Sequence, residues 1–553
     1  MPKPQQTLDP SHSLDAKTRL RRFCYLGSQE PVYVHLRRPV NVEEYWPKMS
    51  LICKALDDTT FITIMKDVLQ QSNLVRRDEA LFIYAVYLAT ELDIKRKTCV
   101  RIAFPAIVLN DDDLFLFAKY CVAIQKQYKH KGFSKTMRKA ITAWYEQHQP
   151  ADIQKMWMQH RGAYGFTHKA LLKMCHINDE TIGEAGVVSP FFRTCTELIK
   201  ISEADEKQEG KDEPTKASSK KLTHMPMPTP VISMSRLRTT KNQAEALKII
   251  QTYRLNYSQV PGHLLRYAPI MEALIPTMSY LQLFKCWRNI ARYNHFQNPR
   301  IMKLCQTILN NKNKLTKLNV HPIVFLLQMD KMGIKDDLSK LAPKKVESMR
   351  MAYLKDIYMQ SYGHNQATGL RMHITINLQT NYKKKFLNNT KKLSFIEAAV
   401  ALAFGYYKKE KNVNVFHWED DRTKLLEVPW KEDMSIKDAM ECCNKVENPK
   451  NSQRLVVPIM HALKSDKIYD VFVAIVPSAG RSNPNQSSSF LCKFLDKYRE
   501  SKNPKAKFVI VNLRKFKRSM SYSLERVENI LEICGMDEHT TDLINNFALN
   551  RFG

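Results

Sequence analysis

Apolar residues return every three or four positions from about Leu20 to Ile201, and again from Ala244 to about Tyr362. This spacing constrains the chain more than any other feature, because a period near 3.6 residues marks helices that bury one face. Leu81-Phe82-Ile83-Tyr84-Ala85-Val86-Tyr87-Leu88 and Phe133 to Tyr145 are examples. Pro261, Pro269, Pro276, Pro322 and Pro343 interrupt the second stretch and leave short helices of the kind that stack in pairs. No strict repeat period survives. The architecture expected for residues 20–362 is a degenerate α-solenoid of helix pairs, and an irregular helical bundle is the other arrangement that the pattern permits. Glycine is scarce at 15 residues, which argues against collagen-like and porin-like architectures.

Two segments break the pattern. Glu203–Asn242 runs from acidic and lysine-rich sequence into Met225-Pro226-Met227-Pro228-Thr229-Pro230, and reads as an exposed loop or linker. After Gly369 strand-like and helix-like segments alternate. Leu370–Leu378, Val413–Trp418, Tyr469–Val476 and Lys507–Leu513 are the expected strands. Helices are expected at Ser394–Tyr407, Ser435–Val446, Val457–Lys464, near Ser488–Tyr498 and across Asp542–Phe547. That alternation predicts a parallel α/β sandwich, whose ligand sites lie at the carboxyl ends of its strands.

The 553 residues suffice for about three or four domain-sized units. Lysine and arginine number 86 against 55 acidic residues, a formal net charge of +31, so the field around the chain attracts polyanions. Nucleic acid is the commonest such partner, and an anionic membrane surface is another. The 12 cysteines include no C-x-x-C pair, and the adjacent Cys442 and Cys443 have poor spacing for zinc; reduced buried thiols of an intracellular protein are expected. Met1–Asp15 is polar and lacks the apolar core of a signal peptide. No apolar run approaches the roughly 18–20 residues that a membrane span needs.

Basic residues line up on three predicted helices. In Arg161–His176, a helix capped by Thr167 would place Lys169, Lys173 and His176 at i, i+4 and i+7, with Leu171, Leu172 and Cys175 opposite. His168, Arg161 and Tyr164 stand beside them, so the face could hold phosphates and stack on a base. The other reading is a solvated amphipathic helix. Lys135, Arg138 and Lys139 oppose Met137, Ile141 and Trp144, and are fed by Lys126-Gln127-Tyr128-Lys129-His130-Lys131. Lys285, Arg288 and Arg292 oppose Leu283, Phe284, Trp287 and Ile290. These faces do not distinguish RNA from DNA, since no helix-turn-helix, zinc-finger or RNP-type signature is present.

The same residues resemble the Ro autoantigen (TROVE-domain) family. Arg19–Ser28 (RLRRFCYLGS) is similar to its opening segment, Lys135–Tyr145 (KTMRKAITAWY) to one of its helices, and Phe166–His176 (FTHKALLKMCH) to another. His321-Pro322, Cys534-Gly535-Met536-Asp537 and Leu543-Ile544-Asn546-Phe547 follow in the family's order. The resemblance implies a flexible N-terminus over 1–18, then a ring-like α-solenoid of HEAT-like helical repeats over 19–362. It implies a doubly wound von Willebrand A-like α/β domain over 363–553. It further implies that the outer ring surface binds small Y RNAs and that the central hole takes single-stranded 3′ ends of misfolded non-coding RNA. Family contacts to Y RNA correspond to His160, Arg161 and His176, although two extra residues lie between Arg161 and Phe166.

A von Willebrand A domain holds Mg²⁺ with carboxylate, hydroxyl and water oxygens. The resemblance places that motif on Thr375-Ile376-Asn377-Leu378-Gln379, its distant Thr near Gln453, and its second Asp after Val476, where Pro477-Ser478 stand. No carboxylate remains at these positions, so no bound metal and no cofactor are expected. Nor does any nucleophile–base motif, Walker loop or metallohydrolase spacing occur. The expectation is a non-enzymatic, soluble cytoplasmic protein, with the nucleus also open to it, that binds folded small RNA and misfolded RNA. Protein partners would dock on the A-like domain. A protein-interaction scaffold, or a ribonucleoprotein subunit for a different RNA, is the alternative.

Overall fold

Helices in this protein begin repeatedly where a short polar side chain precedes the apolar period. Asp15, Asn41, Asp57, Asn110, Ser134, Thr167, Asn242, Ser279, Ser394 and Ser435 each accept a hydrogen bond from the backbone N–H three residues on. Each satisfies a donor that the first helical turn leaves open. The computed structural model describes Leu14 to Phe552, apart from 36–38, 72–73, 75, 91, 150–151, 154–155, 158–161, 178–232, 234–235, 312–319, 336–343, 363–366, 388–389, 391–392, 420–423, 447–453, 478–483 and 515–527. Most of the expected linker at 203–242, together with Pro343, lies outside the described residues.

In chain order the helices of the first part are α1 (Ala16–Leu26), α2 (Val42–Ala55), α3 (Asp58–Leu69), α4 (Asp78–Ala89), α5 (Ile94–Ile107), α6 (Asp111–Gln127), α7 (Lys135–Glu146) and α8 (His168–Met174). Then come α9 (Gln243–Thr252), α10 (Ala268–Leu274), α11 (Tyr280–Arg292), α12 (Pro299–Leu309), α13 (Pro322–Lys335) and α14 (Lys344–Ser361). The last part holds α15 (Phe395–Tyr407), α16 (Ile436–Asn444), α17 (Val457–Lys464), α18 (Pro484–Ser501) and α19 (Thr540–Ala548). Strands are β1 (Val32–Val34), β2 (Met372–Ile376), β3 (Val413–Trp418), β4 (Leu425–Glu427), β5 (Val471–Val476), β6 (Lys507–Asn512) and β7 (Ile530–Cys534).

One unit comprises residues 40–72 and 77–308 and is helical. Its first helices pack alternately, α2 on α4 on α6 and α3 on α5 on α7. This two-layer stacking is that of helical repeats rather than of an irregular bundle. α4 joins the layers, and Ala80 to Leu88 are buried all round. The run Leu81–Leu88 is therefore a central helix with no solvent face, consistent with its lack of charged residues. Phe61 stacks on Tyr87 at 4.1 Å, Phe104 lies 4.5 Å from Phe117, and the Tyr84 hydroxyl donates to the Val100 carbonyl at 2.7 Å. Arg77 grips Asp113 with a 2.6 Å Nε–H bond and donates to the Leu69 carbonyl at 2.8 Å.

The other unit contains 1–39, 73–76 and 309–553. Its seven-stranded sheet runs β1-β7-β6-β5-β2-β3-β4, parallel except for the antiparallel edge strand β4. The parallel α/β arrangement expected from sequence is present, with one antiparallel strand at its edge. Chain order reverses between β2 and β5, which is where doubly wound sheets open a crevice. Strand β1 comes from the N-terminus and pairs parallel with β7. Tyr25 stacks on Phe552 at 4.7 Å, and the Tyr33 hydroxyl donates to Asp537 at 2.7 Å. The otherwise open backbone edge of β7 is thereby covered by residues from the other end of the chain. In the same unit Gly405 of α15 faces the ring of His321, which stands at the start of α13, and any Cβ there would overlap that imidazole.

His373 of β2 is fully enclosed, stacked on Phe416 at 4.5 Å, and its Nε2 has no hydrogen-bond partner. Burial pushes its pKa down to about 3 from 6.5, helped by the nearby charges of His461 and Lys467. Burial does the same to His321, also to about 3. Both rings are neutral in the fold, whereas the unfolded chain takes up protons at both once pH drops below about 6.5. Stability therefore declines with falling pH between 6.5 and about 3. His373→Phe keeps the stack and removes one titrating group, so its urea midpoint should fall less steeply over that window than the parent's. Parallel profiles for the two proteins would contradict this account.

Candidate nucleic-acid interface

Two basic helices of the helical unit meet side by side. α7 buries Met137, Ala140, Ile141, Trp144 and Tyr145, which leaves Lys135 and Lys139 exposed and Arg138 half-buried on the opposite face. α8 buries His168, Leu171 and Leu172, and leaves Lys173 exposed and Lys169 half-buried. The helices pack on one another. Cys175 marks the seam: burial pushes its thiol up to about 12, against a hydrogen bond from Thr142 and the charge of Arg138 that pull it down. Arg138 thus stands near the end of α8.

His176 lies beyond the helix rather than on it. α8 ends at Met174, the His176 N–H bonds the Lys173 carbonyl at 3.0 Å, and the Ile177 N–H bonds that of Leu172 at 3.1 Å. This is a terminating turn with its αL position filled by His176, φ +59. The imidazole is exposed there, beside the last basic turn.

His168 requires a correction. Read from sequence as one of the RNA-binding group, it is buried, 3% exposed. Its Nδ1 shares a 2.7 Å hydrogen bond with the Tyr145 hydroxyl, and its Nε2 lies 3.7 Å from Asp111. Phe115 and Trp157 close around the ring at 4.8 and 5.9 Å. As the residue after the Thr167 cap it points inward, into an aromatic pocket lined by α6 and α7. It positions α8 and is not available to a phosphate.

Lys285 and Arg288 fall on α11 as expected, with Leu283, Phe284, Trp287 and Ile290 buried; the side chains of those two basic residues lie outside the described set. Arg292 is exposed, its guanidinium 5.8 Å from the Tyr293 ring. Among the described elements α11 packs with the short turn that follows it, whereas α7 packs with α8. Arg161 and His160 lie outside the described residues.

Sequence reasoning left out Lys119. It sits on α6 between apolar neighbours, and only the fold brings its ammonium to 5.4 Å from the centre of the Tyr164 ring. Tyr164 occupies a two-residue turn closed by reciprocal 2.9 Å hydrogen bonds between Ala163 and Phe166. Tyr164 and Gly165 both have positive φ, +55 and +86, the geometry of a type I′ turn. Burial first, then Asp78, Asp112 and Asp113, push the Tyr164 phenol up, which keeps it neutral.

At the reversal point of the sheet, Asn377 follows β2 and its N–H bonds the Ile475 carbonyl at 3.1 Å. Its side-chain oxygen accepts from the Gln379 N–H at 2.9 Å. Gln453 and Ser478 lie outside the described residues. Among the described residues no group of three or more His, Cys, Asp or Glu is placed to hold a metal ion. No described helix is long and apolar enough to cross a membrane.

Gly162 holds the turn in register. With φ +104, a Cβ there would overlap the Phe166 carbonyl and crowd the Thr167 side chain. Gly162→Ala is expected to open the Ala163–Phe166 bridge and loosen the cap of α8. Hydrogen exchange at Phe166 and Ala170 should accelerate at least tenfold, a loss of about 1.4 kcal/mol of local protection, while the strands of the sheet keep theirs. Unchanged exchange at both amides would show that the turn does not depend on this glycine.

A TROVE domain family model matches residues 10–422, and a Ro60 vWA domain model matches residues 371–548. A solved structure, that of the Ro (RSR) protein of Deinococcus radiodurans, superposes with a TM-score of 0.72 at 16% identity, over 97% of this chain and 99% of that one. The likeness in structure establishes a shared fold. With the family match spanning most of its length, the chain belongs to the TROVE domain family of RNA-binding Ro proteins and ends in a von Willebrand A-like domain of the Ro60 type.

Proposed function

We propose that this protein is a non-catalytic subunit of a small ribonucleoprotein. It grips the phosphates of a folded, Y-type small RNA through the paired faces of α7 and α8. A second site takes the single-stranded 3′ ends of misfolded non-coding RNAs, so the protein senses transcripts that expose such ends. The observation that supports this reading is that two basic helices pack on one another, α7 with Lys135, Arg138 and Lys139 off its buried face and α8 with Lys169 and Lys173 off its own. Single basic helices are common on solvated surfaces. Two of them joined along a seam offer a stretch of RNA backbone several phosphates at once, and each neutralised phosphate releases counterions.

The net charge of +31 supplies the long-range attraction that steers a polyanion toward such a face. RNA fits this mode because its recognition rests largely on shape, phosphates and unpaired segments. The family resemblance supports the preference for Y-type RNA and for free 3′ ends, and a cytoplasmic site of action.

Binding of a stem-loop RNA with a single-stranded 3′ tail, titrated against salt, tests the reading. Lys169→Ala/Lys173→Ala should flatten the slope of log affinity against log salt by roughly two, with melting unchanged. A blunt, fully paired RNA should compete poorly with the tailed one. An unchanged slope removes the α7–α8 surface from binding, and equal competition by the blunt RNA removes the 3′-end site. Equal affinity for duplex DNA would leave a basic scaffold without RNA specificity.

A further inference from the structure

Tyr164 combines three properties that a turn residue seldom has together. It is a bulky aromatic residue at φ +55, where Gly and Asn are favoured. It is half exposed, at 50%. A lysine from another helix also approaches its ring: Lys119 Nζ lies 5.4 Å from the ring centre, and 4.9 Å from that of Tyr120. Left-handed backbone costs a side-chain-bearing residue on the order of 1 kcal/mol, so a glycine or asparagine would suit the turn better than this tyrosine does. The turn fixes the ring in place, and Gly162, Thr167 and the helix that Thr167 caps fix the turn.

We infer that Tyr164, braced by Lys119, is a stacking platform for an unpaired nucleobase of the bound RNA, with the ammonium of Lys119 taking an adjoining phosphate. The inference rests on the RNA-binding reading of α7 and α8. It adds what the lysines cannot supply: recognition of an extruded base beside a helical stem. Lysine contacts to phosphate are blind to whether a base is paired, whereas an aromatic ring can stack only on a base that has left its own stack. Tyr164 stands three residues before the Thr167 cap and five before Lys169, so the ring and the basic helix follow one another along the chain. Three carboxylates, Asp78, Asp112 and Asp113, lie near the ring and Arg77 pairs with Asp113, so a phosphate here depends on the ammonium of Lys119.

The test uses the full chain and two hairpin RNAs, one carrying a bulged 2-aminopurine and the other the same base paired. Tyr164→Phe retains the ring. Tyr164→Asn removes it while favouring the turn, so loss of folding does not confound the result. The unaltered protein and Tyr164→Phe should quench the bulged fluorophore. Tyr164→Asn should leave it bright and bind the bulged hairpin about tenfold more weakly, with the paired hairpin and the salt slope unaffected. Lys119→Gln should lower the salt slope by about one for the bulged hairpin. Quenching that persists in Tyr164→Asn, or an equal loss for both hairpins, overturns the platform while leaving the α7–α8 surface standing. Failure of the unaltered protein to bind either hairpin in a salt-dependent way overturns both.

Discussion

The hydrogen bond between the Tyr145 hydroxyl and His168 Nδ1 is the contact on which the candidate interface depends. α8 has only seven residues, far too few to persist alone. It exists because Thr167 caps it, Leu171 and Leu172 bury, and His168 locks into a pocket formed by Phe115, Tyr145 and Trp157. Leaving one member of such a buried pair unsatisfied costs about 1–3 kcal/mol, a large share of what holds so short a helix. The basic face is thus the outward side of an arrangement whose inward side is aromatic.

A comparable dependence governs the sheet. β7 would be an open edge without β1, and the N-terminal segment covers it with three residues of parallel pairing, the His35 N–H to Cys534 carbonyl bond and the ring stack of Tyr25 on Phe552. The crevice at the reversal point is occupied by an asparagine whose oxygen is turned back onto its own loop. Thr375, Asn377 and Gln379, where the resemblance places a cation motif, carry hydroxyl and amide groups rather than carboxylates.

Much of this was legible before any coordinates. Thr167 caps its helix as read from sequence, the helices expected at Ser394–Tyr407 and Ser435–Val446 begin at those serines, and Val457–Lys464 appears with the bounds read from sequence. Periodicity reports which side of an element is buried but not what buries it. His168 reads as polar and therefore outward, and only the approach of Asp111, Phe115 and Tyr145 turns it into a core residue. β1 spans three residues and is strand only because β7 waits for it. Lys119 and Tyr164 are 45 positions apart, and no local pattern joins them. Lys169 and Lys173 were readable because both lie on one short helix, whereas His176 was displaced when that helix ended earlier than the pattern suggested.

On the proposed function, folded RNA lies on the α7–α8 face of the helical unit. Photochemical cross-linking of a bound stem-loop RNA to the full chain, with the attached peptides mapped by mass spectrometry, asks this directly. The account predicts cross-links within residues 119–139 and 162–176, suppressed by salt in step with binding. Cross-links confined to residues 371–548, with those two segments silent, would contradict it.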